Sequence, residues 1–198
     1  MSAEARQRRE QILDAATGLF IQQGYHGLSM RQIAEALGVT KAALYYHFED
    51  KEQLFLAVLT AYLKRLEVTL DQIQAEPVSN RERISRFVEH ILSQPGEQHA
   101  IIRLASQEMR HVSAAQRQAF NQVYHQKFID KIQAILQAGM EQGEFRGEFQ
   151  RLDPQVATWA LLGLVYPYLD PTHAGEAALP GELIRQILGI YFEGIALR

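Results

Sequence analysis

A chain of 198 residues with 47% hydrophobic and 22% charged residues has the composition of an ordinary globular protein, long enough for one large domain or two small ones. It holds no cysteine, which excludes disulfides, thiolate metal sites and cysteine nucleophiles. The net charge of −3 gives no general attraction for nucleic acid, and over the first 51 residues Arg6, Arg8, Arg9, Arg31, Lys41 and Lys51 are balanced by Glu4, Glu10, Asp14, Glu35, Glu49 and Asp50.

Apolar residues recur at helical spacing almost throughout and no segment reads as a strand, so the expected fold is all-α with about nine helices. Ile12, Ala16, Leu19 and Phe20 mark the inner face of a first helix that stops near Gly24. Ser29 and Gln32 have capping-box spacing and open a second helix, Met30 to Leu37. Gly38 ends it, and Thr40 is a natural N-cap for a short third helix. Asp50, with Gln53 three residues on, opens a longer helix through Phe55, Leu59, Tyr62 and Leu66. Pro77 interrupts the pattern, and Ser79 restarts it through Ile84, Phe87, Val88 and Ile91 as far as Pro95 and Gly96. Helices are expected over 98–110 and 114–142, then a polar loop over 143–152. Asp153 and Pro154 begin a helix that is apolar nearly all round as far as Tyr166. After Pro180 and Gly181, Leu183, Ile184, Ile187, Leu188, Tyr191, Phe192 and Ile195 form two stripes of a last helix.

The functional signal lies between positions 29 and 51. Two steeply crossing helices need a small residue where they touch, supplied by Ala34, and the turn between them needs tolerance of positive φ, supplied by Gly38. Ile33, Leu37, Val39 and Leu44 then face inward, which is the spacing of a helix-turn-helix with the outer face of its second helix projecting. Thr40, Lys41 and Ala42 stand at the start of that helix, where free amides favour a phosphate. Ala42 and Ala43 are small enough for close approach to base edges. Leu44 and Phe48 belong to the core, but Tyr45, Tyr46 and His47 cannot all point inward from so short a helix. Lys51 begins the next helix within reach of the same surface.

The run AATGLFIQQGYHGLSMRQIAEALGVTKAALYYHFEDKEQLF, about a fifth of the chain, resembles the DNA-binding domain of the TetR (tetracycline-repressor) family of bacterial regulators. Gly24 and Gly38 match the turn glycines of that family. The resemblance implies a DNA-binding domain over 1–51 and a ligand-binding and dimerisation domain over 52–198. It also implies DNA contacts from Thr40, Lys41, Ala42, Tyr45, Tyr46, His47 and Lys51, with Ser29 in support. The function so implied is a ligand-responsive transcriptional regulator, a repressor released from a palindromic operator by a small molecule. Two alternatives stand beside it: an activator using the same motif, and a helical binding protein or enzyme in which the motif is incidental.

A single helix-turn-helix reads only a few base pairs, so a homodimer on two half-sites is expected. The resemblance implies a four-helix interface from the last two helices of each subunit, with Val156, Ile184, Leu188, Tyr191 and Ile195 as the candidate contacts. It further implies an effector pocket among the middle helices, for which Arg103, Met109, Phe120, Tyr124, Phe128, Trp159 and Tyr166 are the candidates. A buried Arg103 would need an anionic partner, either Glu108 or a carboxylate on the ligand.

No metal site or cofactor is expected, because His90, His99, His111 and His125 share no convincing ligand spacing. No nucleophile elbow, phosphate loop or zinc-protease motif occurs, so the chain is not expected to be an enzyme. The polar start MSAEARQRREQ lacks a signal-peptide core, and the most apolar stretch, Val156 to Leu169, is too short to span a bilayer. A soluble, cytoplasmic protein without membrane contact is expected.

Overall fold

A computed structural model describes residues 3–94, 96–145, 152–169 and 178–195, and among these the regular structure is helical throughout. The elements are α1 (Ala3–Gln23), α2 (Met30–Ala36), α3 (Lys41–His47), α4 (Lys51–Ala75), α5 (Asn80–Leu92), α6 (Gly96–Glu108), α7 (Ala114–Tyr124), α8 (Asp130–Glu141), α9 (Pro154–Val165) and α10 (Gly181–Ile195). Where one helix is expected over 114–142, α7 is followed by a π turn over His125–Ile129 and then by α8. The helix expected from residue 98 begins at Gly96 and ends in a 3₁₀ turn, Met109–His111. Part of the expected loop, residues 146–151, and Pro95 lie outside the described residues. No described helix is long and apolar enough to cross a membrane.

The chain divides into two compact units, one of residues 1–63 and 101–122, the other of residues 64–100 and 123–198. In the first, Ile12, Leu13, Ala16 and Phe20 of α1 meet Ile33 and Ala34 of α2, Leu44 of α3, and Leu54, Phe55, Val58 and Leu59 of α4. Phe20, Tyr25 and Phe55 form an aromatic knot, with Phe20 meeting Phe55 edge-on at 5.5 Å and Tyr25 lying 5.0 Å from Phe55. Ser113 donates to the Glu52 carboxylate at 2.6 Å, tying the start of α7 to the start of α4.

In the second unit α8 packs on α5 and α9, and α10 on the same two helices. The Glu144 carboxylate caps α5, accepting from the backbone amides of Asn80 and Arg81 at 3.0 and 2.9 Å and from the Asn80 side chain at 2.8 Å. Burial pushes that carboxyl up, but these donors outweigh it and hold it below the usual carboxylate range. Phe145 is fully buried and stacks on Phe192, with ring centroids 5.9 Å apart. Gly139 gives that ring its space, since a Cβ there would lie 2.4 Å from it.

Candidate nucleic-acid interface

The helix-turn-helix is assembled by short-range hydrogen bonds that the local sequence dictates. Ser29 and Gln32 complete a reciprocal capping box: the Gln32 amide donates to the Ser29 hydroxyl at 3.3 Å, and the Ser29 amide donates to the Gln32 side chain at 2.9 Å. The hydroxyl of Ser29, expected to support DNA binding, is thus committed to starting α2. Gly38 takes a φ of +61°, and the Val39 amide turns back to the Ala34 carbonyl at 3.0 Å. Thr40 then caps α3 by accepting from the Ala43 amide at 3.1 Å.

These caps fix which face of α3 is free. Leu44 and Phe48 are buried, while Lys41, Ala42, Ala43, Tyr45 and Tyr46 are exposed and His47 is half-buried. Tyr46 is 78% exposed, far beyond what a core tyrosine could be, and Tyr45 is 42% exposed. The Lys41 ammonium lies over the Tyr45 ring, and the rings of Tyr46 and His47 meet edge-on at 5.1 Å. Five of the eight sequence candidates, Lys41, Ala42, Tyr45, Tyr46 and His47, therefore lie on one short helix, and a sixth, Thr40, is its N-cap. Arg31 is exposed on α2 but paired with Glu35 at 2.8 Å.

Lys51 is placed differently from what its position in the sequence suggests. Its ammonium donates to the carbonyls of Tyr25 and Leu28 at 2.9 and 2.8 Å and sits over the Tyr25 ring. Burial pulls this lysine below its ordinary range, with the charge of Glu108 offsetting part of the effect. The side chain holds the α1–α2 turn in place, a task the sequence reading missed because its partners lie in a loop more than twenty positions away.

The effector candidates fall into both units: Arg103, Met109 and Phe120 belong to the first, and Tyr124, Phe128, Trp159 and Tyr166 to the second. Arg103 keeps Nη1 buried without a hydrogen-bond partner among the described residues, while Glu108 turns toward His26 at 3.5 Å. In the second unit the Tyr124 and Tyr166 hydroxyls are hydrogen-bonded to each other. The Tyr124 ring lies 5.5 Å from Phe128, and Trp159 lies 6.4 Å from His125. Burial, then the neighbouring Tyr166, raise the Tyr124 phenol above its ordinary value, so it stays a neutral donor and acceptor.

Among the dimer candidates, Val156 is 59% exposed, but Ile184, Leu188 and Tyr191 are buried within the chain itself. Tyr191 also donates from its hydroxyl to the Ala157 carbonyl at 3.1 Å, joining α10 to α9. The stripe expected at an interface is thus the inner seam of α10, because α5 and α9 supply its cover. The side chain of Ile195 lies outside the described residues. The apolar and small residues left exposed are Val156, Trp159, Ala160 and Gly163 on α9 and, among the large apolar residues of α10, Ile190, which is 65% exposed. Ile190 falls outside both apolar stripes of α10.

Comparisons with known proteins agree with this geometry. Residues 12–58 match the model of bacterial regulatory proteins of the tetR family, and residues 77–167 match a tetracyclin repressor-like C-terminal domain. The chain is 40% identical over 83 residues to the HTH-type transcriptional activator FasR of Mycolicibacterium smegmatis, covering 42% of this chain and 38% of FasR. It is 28% identical over 110 residues to the HTH-type transcriptional repressor KstR2 of Rhodococcus jostii, covering 56% of this chain and 54% of that protein. The matches thus span about half or less of the length of these curated relatives. A crystal structure of AibR in complex with isovaleryl coenzyme A and operator DNA superposes with a TM-score of 0.68 at 25% identity, over 94% of this chain and 97% of that one. Two family matches that together take in more than half of the residues, and a helix-turn-helix built as described, place this chain in the TetR family of bacterial regulatory proteins.

Proposed function

We propose that the protein is a ligand-responsive transcriptional regulator that reads the major groove with α3 and represses from a palindromic operator as a homodimer. The observation that carries this reading is the exposure of Tyr45 and Tyr46 beside Lys41, on a helix whose opposite face is locked into the core by Leu44. Polar-tipped aromatics and small side chains on a projecting helix suit base edges and phosphates better than they suit solvent. Because the domain is electrically neutral, affinity rests on these specific contacts and on two copies held in register, with little help from long-range attraction. A regulator of this kind works on chromosomal DNA, hence in the cytoplasm.

Among the exposed residues of α9 and α10, Val156, Ala160, Gly163 and Ile190 support a dimer face in the second unit, with Trp159 at its edge. Small residues let helices approach closely, and Val156 and Ile190 add apolar area. The effector site is assigned to the aromatic group of Tyr124, Phe128, Trp159 and Tyr166, and the AibR complex with an acyl coenzyme A supports a small-molecule effector as a class. Effector and operator must weaken each other equally if one releases the other.

Selection of bound sequences from a random DNA pool tests the DNA reading: a two-fold symmetric site supports it, and recovery of no common sequence overturns it. Trp159 is the only tryptophan, so its fluorescence reports an effector at the proposed site, read at fixed protein concentration because Trp159 shares the exposed face of α9 with Val156 and Ala160. Activation in place of repression is the second reading, favoured by the identity to FasR. Transcription from the selected site with and without the protein decides between them.

A further inference from the structure

Apart from the α3 face, the first unit gathers three metal-ligating side chains that are dispersed in the sequence. His26 sits in the turn after α1, Glu108 is the last residue of α6, and His111 closes the 3₁₀ turn that follows. One ligand atom from each lies within 4.8 Å of the others. We propose that His26, Glu108 and His111 form a binding site for a divalent transition metal of the zinc type.

Three features of the geometry argue for it. First, His26 Nε2 and Glu108 Oε2 are 3.5 Å apart, long for a hydrogen bond. It is close to the spacing of two ligands on one tetrahedral ion, about 3.3 Å for metal–ligand bonds near 2.0–2.1 Å. Second, Glu108 Oε2 is buried and has no hydrogen-bond partner among the described residues. A buried carboxylate oxygen without a hydrogen bond is costly, and a cation between it and the two imidazoles would relieve that cost. Third, the rings of His26 and His111 meet edge-on with centroids 4.4 Å apart, so the two histidines are held beside each other, a small ring shift from sharing one ion.

His111 Nε2 accepts a hydrogen bond from Arg110 Nε at 3.1 Å, so the lone pair an ion would take is the one Arg110 occupies. Arg110 is exposed and free to swing away where the ion takes its place. Two imidazoles and one carboxylate select zinc, cobalt or nickel over magnesium or calcium, and leave a fourth position for water. Histidine spacing along the chain does not reveal the site, because only Glu108 and His111 share a helical neighbourhood. A bound ion would brace the turn between α1 and α2, the same turn that Lys51 holds through the Tyr25 and Leu28 carbonyls.

The test is titration of the untagged full chain with Co²⁺, followed by visible absorption and then by Zn²⁺ competition. The expected result is one ion per chain, with the intense band of tetrahedral cobalt lost on adding zinc. His26 and His111 are both exposed, so His26→Ala and His111→Ala should leave the circular dichroism unchanged while each weakens binding at least about ten-fold. His90→Ala, an exposed histidine outside the cluster, should bind as the parent does. Absence of stoichiometric binding, or binding indifferent to His26→Ala and His111→Ala, overturns the proposal.

Discussion

The ammonium of Lys51 lies 4.2 Å from the centre of the Tyr25 ring and donates to the carbonyl of the same tyrosine at 2.9 Å. A residue at the head of α4 is thereby the fastening of the turn that delivers α2. Two charge-assisted hydrogen bonds and a cation–π contact, set against the burial that disfavours the ammonium and the screening of a half-exposed side chain, leave a net contribution of about 2–3 kcal/mol. Lys51→Ala should lower stability by about that amount in urea titration, and an unchanged midpoint would show the fastening to be idle.

Lys41 and Lys51 should then separate in their response to salt. Lys41 is exposed on the α3 face, so Lys41→Ala should reduce the slope of log affinity against log salt by about 1 if it meets a phosphate. Lys51→Ala should leave that slope nearly unchanged, because its charge already faces two protein carbonyls. Measuring operator affinity at several salt concentrations checks both.

Gly139 is a glycine by steric necessity. In a helix, alanine would normally be favoured over glycine by about 1 kcal/mol. Here a Cβ would sit 2.4 Å from the Phe145 ring, which is itself stacked on Phe192 and has nowhere to go. Overpacking costs about 1–3 kcal/mol, so Gly139→Ala should come out destabilised despite its better propensity. Adding Phe145→Leu should return part of the loss, and failure of that rescue would place the cause elsewhere.

Acid should loosen the second unit through Glu67. Its carboxylate accepts from Lys127 at 2.8 Å and from Lys64 at 2.9 Å, and these bonds pull its pKa from an ordinary 4.5 down to about 2. The unfolded chain therefore binds the proton first as pH falls, so stability held above pH 4.5 declines on the way to about pH 2. Glu67→Gln should flatten that decline, and the two proteins should converge in stability at the acid end. Parallel curves across the window would mean that the lysines do not hold this carboxylate in the folded state.

Much of the fold was legible because its boundaries are set by residues acting on near neighbours. Ser29 with Gln32, Thr40 with the Ala43 amide, and Ser79 with the Glu82 amide are caps that declare themselves within three positions. Gly38 is recognisable because only its backbone freedom permits the turn it makes. The exposed face of α3 followed from the same local geometry. What stayed hidden depends on distant partners. Lys51 reaches into a loop across the unit, Glu144 caps a helix that begins 64 residues before it, and His26 meets Glu108 only once the unit has folded. Periodicity also leaves open which neighbour a helix face meets, so the apolar seam of α10 reads equally well as partner contact or as cover for α9.

The central claim is that the outer face of α3 binds DNA while its inner face only holds it in place, and one paired measurement tests it. Operator affinity by fluorescence anisotropy and stability by urea titration should be recorded for the parent chain and for Tyr46→Ala. With 78% of Tyr46 exposed, the substitution should leave the urea midpoint unchanged and weaken operator binding about ten-fold. Unchanged affinity in a variant of parental stability would contradict the assignment of this face.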